Sequence, residues 1–333
     1  MKRAARLLGM FGLTLLGLVA ATFFIGRVVP IDPALALVGD KASPEAYAAA
    51  RAALGLDRPM MVQFLGYLWD ALRLDLGRSA LTANPVAEDI ARVFPATLEL
   101  ATTAMVLGIG LGVPAGVWAA YRRDLWSDAV IRVVCLAGYS APVFWLGLVA
   151  LAVFYADLGW ASGPGRIAIA FEDDLTVRTG IGAIDALLTG RSDLVASAFG
   201  HLVLPSAVLG WYAMAYIARM TRSLMIAELA QDYVLAARAK GLSESRILWR
   251  HALGNAAVPL VTVIAITYGH LLEGSVLTET VFAWPGLGFY LTSALLNADT
   301  NAVLGATLVV GTVFLALNLL SDALYRKLDP RVR

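Results

Sequence analysis

Six apolar runs, each about long enough to cross a bilayer, leave this chain few folds to choose from. They are Leu7 to Gly26, Leu100 to Ala120, Val133 to Ala156, Leu202 to Ala218, Ala252 to Leu272 and Ala302 to Leu320. Inside hydrocarbon a backbone must satisfy its own hydrogen bonds, so each run is expected to be a helix. The expected fold is an all-α polytopic membrane protein with six transmembrane helices. At 59% hydrophobic and 15% charged over 333 residues, the chain is far more apolar than an ordinary soluble domain. Lys2, Arg3 and Arg6 precede the first run, which invites a signal-peptide reading. The apolar core is too long for one and no small-x-small cleavage site follows, so a retained helix is expected.

Cations set the expected orientation. With the N-terminus inside, the inner segments carry Lys2, Arg3 and Arg6, then Arg122, Arg123 and Arg132, then Arg219, Arg222, Arg238, Lys240, Arg246 and Arg250, and finally Arg326, Lys327, Arg331 and Arg333. The outer segments are longer and poorer in cations. The positive-inside rule then puts both termini in the cytoplasm. A net charge of +1 gives no bulk attraction to nucleic acid. Cys135 is the only cysteine, and the three histidines are far apart, so neither an internal disulfide nor a zinc site is expected.

The first outer segment, about Arg27 to Glu99, is too long for a bare loop. Ser43-Pro44-Glu45 reads as a helix start, continued by Ala48 to Leu54 and ended by Gly55. Met60 to Leu74 reads as a second helix, with Phe64, Tyr67, Leu68 and Leu72 on one face and Trp69 placed for the interface. The second span carries Gly108, Gly112 and Gly116, a small-residue stripe for close helix packing. A GxGxxA reading from Gly110 lacks the strand that a dinucleotide site needs. Pro142, next to Ser140, predicts a kink in the third span. The acidic run Glu172, Asp173 and Asp174 has no third ligand and reads as a solvated loop.

His270 and Glu273 lie three apart, hence on one helical face, near the outer end of the fifth run. Ionisable residues near membrane depth are functional candidates. They are expected either to line a solute path or to reach outer water.

The most patterned polar segment is Gln231 to Val258. Gln231 to Lys240 predicts a helix with Tyr233, Ala236, Ala237 and Lys240 on one face. Gly241 is its stop, with Arg238 and Lys240 in the last turn. Ser243 is expected to cap a second helix starting near Glu244. By pattern alone this is either a solvated loop whose cations fix topology or a helix that a partner approaches.

Ala236-Ala237, three residues, Gly241 resembles the EAA…G loop of ABC importer permeases. The longer string Asp232-Tyr233, Ala237-Arg238-Ala239-Lys240-Gly241-Leu242-Ser243, Arg250-His251-Ala252-Leu253 and Pro259 is similar to the version in dipeptide, oligopeptide and nickel permeases. Leu235, His251 and Gly254 depart from the general motif. Glu279-Thr280-Val281-Phe282-Ala283-Trp284-Pro285-Gly286-Leu287-Gly288 and the closing Asp322 to Arg333 also resemble that family. Trp284 is expected at the membrane interface, and Phe289 to Leu296 as a short helix.

The resemblance implies a type I ABC importer permease fold in the bacterial inner membrane, and residues 1–30 as tail and first span. Residues 31–96 follow as an extracytoplasmic helical segment, and 97–333 as a five-helix core with a coupling loop at 221–256. It implies ATPase contact through Asp232, Tyr233, Ala236, Ala237, Arg238, Lys240, Gly241, Leu242 and Ser243. It implies a second homologous permease, two cytoplasmic ATPases and an extracytoplasmic solute-binding protein as partners. No G-x-x-x-x-G-K-[ST] is present, so ATP and magnesium would be bound by the ATPase subunits, and the chain is not expected to be an enzyme. Peptides, nickel chelates and glutathione all fit such a permease. The alternative, a secondary transporter or channel, would need internal repeats or charged mid-membrane helices, and none is evident.

Overall fold

A computed structural model describes residues 2–28, 33–39, 42–53 and 55–328. Leu54 and the closing segment 329–333 lie outside the described residues. The helices are α1 (Lys2–Val28), α2 (Pro33–Val38), α3 (Pro44–Ala53), α4 (Met60–Leu72), α5 (Val86–Tyr121), α6 (Trp126–Ser140), α7 (Val143–Ala150), α8 (Gly182–Thr189), α9 (Ser192–Leu229), α10 (Asp232–Ala239), α11 (Glu244–Arg246), α12 (Leu253–Val281), α13 (Leu287–Leu296) and α14 (Thr300–Leu328). Wider π-type turns extend α7 over Leu151–Asp157 and join α11 to α12 over Ile247–Ala252. Among the described residues there is no strand, only an isolated bridge between Arg78 and Pro85.

Among the described residues five helices are long and apolar enough to cross a membrane, and six spans result if the bent pair Trp126–Ser140 and Val143–Asp157 counts as one. The sequence predicts a kink at Pro142. The structure has a full break, with the two halves at 100°. Pro142 has no amide proton, and Ala141 before it is forced into extended backbone (φ −83°, ψ 138°), so the helix ends rather than bends.

The chain divides into two compact units, Met1–Pro95 with Gly286–Leu315 and Ala96–Pro285 with Ala316–Arg333. In the first, the Ser43 hydroxyl accepts the Ala46 amide at 3.2 Å, which caps α3 as its sequence predicts. Phe64 and Tyr67 of α4 pack on Phe23 of α1, with ring centroids 5.4 and 5.7 Å apart. Leu72, expected on that face, is exposed. Asp299 caps α14 through the Ala302 amide and accepts from Ser79 Oγ at 2.6 Å and the Leu81 amide at 3.1 Å. Val86, Ile90, Leu287, Ala294, Ala302 and Ala306 form its core.

In the second unit the glycine stripe packs as expected. A Cβ on Gly108 would lie 2.6 Å from that of Ala213, one on Gly112 2.9 Å from the Met214 oxygen, and one on Gly116 2.6 Å from the Ala218 oxygen. Only bare glycine lets α5 and α9 approach this far. Trp284 is a correction. It is not an interfacial anchor but 1% exposed, its indole donating to the Ala96 carbonyl at 2.8 Å. A buried indole N–H needs an acceptor, and the Ala96 carbonyl on α5 supplies it.

Candidate functional site

The loop after α9 folds as a short helix with a defined stop. Gln231 precedes α10 with extended backbone (φ −80°, ψ 150°), and Asp232 in the first turn suits the helix dipole. At the other end Gly241 has φ +76°. Its amide donates to the Arg238 carbonyl at 2.9 Å, and the Leu242 amide donates to that of Ala237 at 3.2 Å. This crossed pair is the Schellman termination, which needs a left-handed residue at the glycine position.

Val234, Ala237 and Ile247 are buried together, with Tyr233, Leu242 and Leu229 packed around them. The predicted face is therefore divided: Tyr233 and Ala237 turn inward, while Ala236 and Lys240 point outward. Val234, fully buried, packs this face of the helix into the cluster with Ile247. The outward side presents Asp232, Leu235, Ala236, Ala239 and Lys240, with Leu235 60% exposed. Tyr233 donates its hydroxyl proton to Glu228 at 2.7 Å. Burial, helped by that carboxylate, pushes the Tyr233 phenol above its ordinary range.

Arg238 reaches across Gly241 to Glu244, Nε to Oε1 at 2.8 Å and Nη2 to Oε2 at 3.2 Å. Glu244 holds the guanidinium above its ordinary value. Ser243 occupies the cap position before α11, but its side chain makes no capping bond; its carbonyl instead accepts the Ile247 amide at 3.0 Å. The nine loop residues singled out by sequence thus fall in one continuous helix–turn–helix.

His270 and Glu273 also come together. Both line a cavity of about 360 Å³ with Val143, Leu209, Tyr212, Leu271 and Gly274. His270 is exposed and Glu273 half-buried. Val143, the first residue after the break at Pro142, is part of this lining.

Two buried ion pairs escaped the sequence reading. Glu99 accepts Arg166 Nε at 2.9 Å and Nη2 at 2.5 Å, and the amides of Gly182 and Ala183 at 3.2 and 2.6 Å. Its carboxylate sits at the start of α8, where free amides and the dipole favour an anion. Asp128 on α6 pairs with Arg222 on α9. The partners are 67 and 94 residues apart, and local periodicity carries no signal for such pairs. Among the described residues no group of three or more His, Cys, Asp or Glu could hold a metal ion. Glu172, Asp173 and Asp174 are exposed, and Asp174 pairs with Arg191 at 2.7 Å.

Residues 112–333 match the family model described as binding-protein-dependent transport system inner membrane component, and residues 4–101 match the model for the N-terminal part of such components. The chain is 41% identical over 320 residues to the probable D,D-dipeptide transport system permease protein DdpB of Escherichia coli K12, covering 96% of this chain and 94% of that protein. It is 41% identical over 330 residues to the di/tripeptide transport system permease protein DppB of Pseudomonas aeruginosa UCBPP-PA14, covering 99% and 98%. Among solved structures it is similar to the MetNI methionine ABC transporter in an inward-facing conformation. The TM-score is 0.54 at 19% identity, over 74% of this chain and all of that one, a likeness of fold alone.

Proposed function

The chain belongs to the binding-protein-dependent transport system inner membrane components, and from that premise we propose how its parts divide the work of import. It is an ABC importer permease of the dipeptide/oligopeptide family, a multi-pass protein of the bacterial inner membrane. Its solute is a short peptide, delivered by an extracytoplasmic binding protein. The support is identity of 41% across nearly the whole length to relatives named for dipeptide and di/tripeptide transport.

The two termini and the loop at 221–256 lie in the cytoplasm, as the distribution of Lys and Arg favours. Residues 1–30 form the tail and first span, 31–96 an extracytoplasmic segment, and 97–333 the core shared with other permeases. α10 is the contact for a cytoplasmic ATPase subunit, two of which bind the ATP and magnesium. A second, homologous permease completes the solute path, with His270 and Glu273 facing it.

The observation that carries the ATPase contact is the outward strip Leu235, Ala236 and Ala239. It is a small apolar surface flanked by Asp232 and Lys240, held rigid by the Schellman turn. Small side chains let a partner approach the backbone, and Leu235 supplies the apolar knob where other loops of this kind carry a carboxylate. Co-expression with the cognate ATPase subunits provides the test. Ala236→Arg should abolish their co-purification and ATP-driven uptake while the protein still inserts into membranes. An arginine variant that still captures the ATPases would rule out this surface as the contact.

A further inference from the structure

α6 and α9 carry an aromatic column that leads away from the Glu273 cavity. Tyr212 lines that cavity with Glu273. Tyr139 of α6 stacks on Tyr212, with centroids 6.0 Å apart and planes at 12°, and on Tyr216, at 6.2 Å and 22°. Arg219 closes the column, its guanidinium carbon 4.8 Å from the Tyr139 centroid and 5.4 Å from that of Tyr216. A second cavity of about 360 Å³ opens at this end, lined by both Tyr139 and Arg219.

Neither charge at the two ends of the column is balanced by an opposite one among the described residues. Arg222, one turn from Arg219, is neutralised by Asp128, whereas Arg219 makes no ion pair among the described residues. Glu273 likewise makes none there. Both sit in apolar helices long enough to cross the membrane. Charges carried on apolar helices face water or a polar occupant rather than lipid tails. Tyr212 and Arg219 are seven residues apart on one helix, about 10 Å at about 1.5 Å per residue. An extended chain covers about 10 Å in three residues.

We infer that Glu273, the tyrosine column and Arg219 form a charge-ordered site for a short zwitterionic peptide, its ammonium group at Glu273 and its carboxylate at Arg219. This rests on the peptide-import reading above and adds to it the residues that sort cargo by its terminal charges. Tyrosine faces hold the backbone without reading side chains, and their ring electrons favour a cation at either end. An anionic lipid head group would answer Arg219 but leave Glu273 opposed by like charge.

The test uses the complete transporter with its binding protein in proteoliposomes, and three probes: trialanine, N-acetyltrialanine and trialanine amide. Arg219→Gln should cut trialanine uptake about tenfold, as loss of one charge-assisted contact predicts, and narrow the preference for trialanine over its amide by the same factor. Glu273→Gln should do so for trialanine over the N-acetyl form. Arg219→Lys should keep the wild-type preferences. Variants that retain wild-type preferences, or lose all three probes equally, would overturn the inference and leave the importer assignment standing. A wild-type transporter with no ATP-dependent trialanine uptake would overturn the peptide reading itself, and this site with it.

Discussion

Asp128 accepts both arms of the Arg222 guanidinium, Nε on Oδ1 and Nη2 on Oδ2, each at 2.7 Å. The carboxylate is fully buried and the arginine side chain is 21% exposed, so the pair clamps α6 to α9 away from bulk water. Removing one partner of such a pair strands the other and costs about 3–5 kcal/mol. Asp128→Ala should therefore lower the thermal midpoint of the detergent-purified protein sharply. Arg132, which touches the same carboxylate at 3.6 Å with an exposed side chain, should lose less than about 1 kcal/mol on replacement by alanine. Equal losses for the two variants would show that the clamp is not what holds these helices.

The glycine stripe on α5 separates into positions that tolerate a methyl group and positions that do not. Nothing lies within 4 Å of a Cβ on Gly110, but one on Gly116 would meet the Ala218 oxygen and the Thr221 Cβ, both at 2.6 Å. Gly110→Ala should be neutral or slightly stabilising, since alanine is the better helix former by about 1 kcal/mol. Gly116→Ala has to push α9 away and should reduce yield and midpoint by about 1–3 kcal/mol equivalent. Fluorescence-detected size exclusion after a heating series reads both.

Gly241 controls where α10 stops. Any side chain at φ +76° carries a left-handed penalty of about 1–2 kcal/mol, enough to unseat a helix of eight residues. With Gly241→Val the Leu242 amide should let go of the Ala237 carbonyl. ATP hydrolysis by the assembled transporter should then lose its stimulation by loaded binding protein. Gly254→Ala, in open space on α12, serves as control and should leave the stimulation intact.

Asp185 gives the 179–185 turn a pH dependence with a definite sign. Burial opposes ionisation there. The Thr179 amide and hydroxyl, both at 2.8 Å, and the Gly180 amide at 3.0 Å outweigh it and hold the carboxyl below its ordinary value. A depressed carboxylate stabilises fully above the unfolded value, about 3.9, and the contribution fades as pH falls through the folded value. Hydrogen exchange at Thr179 and Gly180, corrected for intrinsic rates, should stay slow at about pH 5 and accelerate only below about pH 4. Asp185→Asn should show no such step.

The apolar runs, the α10 helix and its Gly241 stop, the Ser43 cap and the glycine stripe were legible because each is a local pattern. Periodicity, a turn residue or a spacing of four is written within about ten neighbours. Trp284 misled because its chemistry suits two places, the membrane interface and a buried pocket with one acceptor. Only the location of the Ala96 carbonyl decides between them. Ser243 misled in a smaller way: a capping residue stands there, but its carbonyl, not its hydroxyl, takes the Ile247 amide, and Arg238 bridges the turn to Glu244. Glu99, Asp128 and Asp299 carry no sequence signal for the pairs they make. Their side-chain donors Arg166, Arg222 and Ser79 stand 67, 94 and 220 residues away, and nothing in their own surroundings announces those partners.

Glu99 ties Arg166 and the first two amides of α8 to the second apolar helix through a single carboxylate. Four donors on one side chain act like a rivet. The strip from Arg166 to Ala183 cannot lift without stranding an anion in a dry setting, so it travels with that helix as one plate. A movement of that helix would carry Arg166 and the start of α8 with it, because all four bonds converge on one of its side chains.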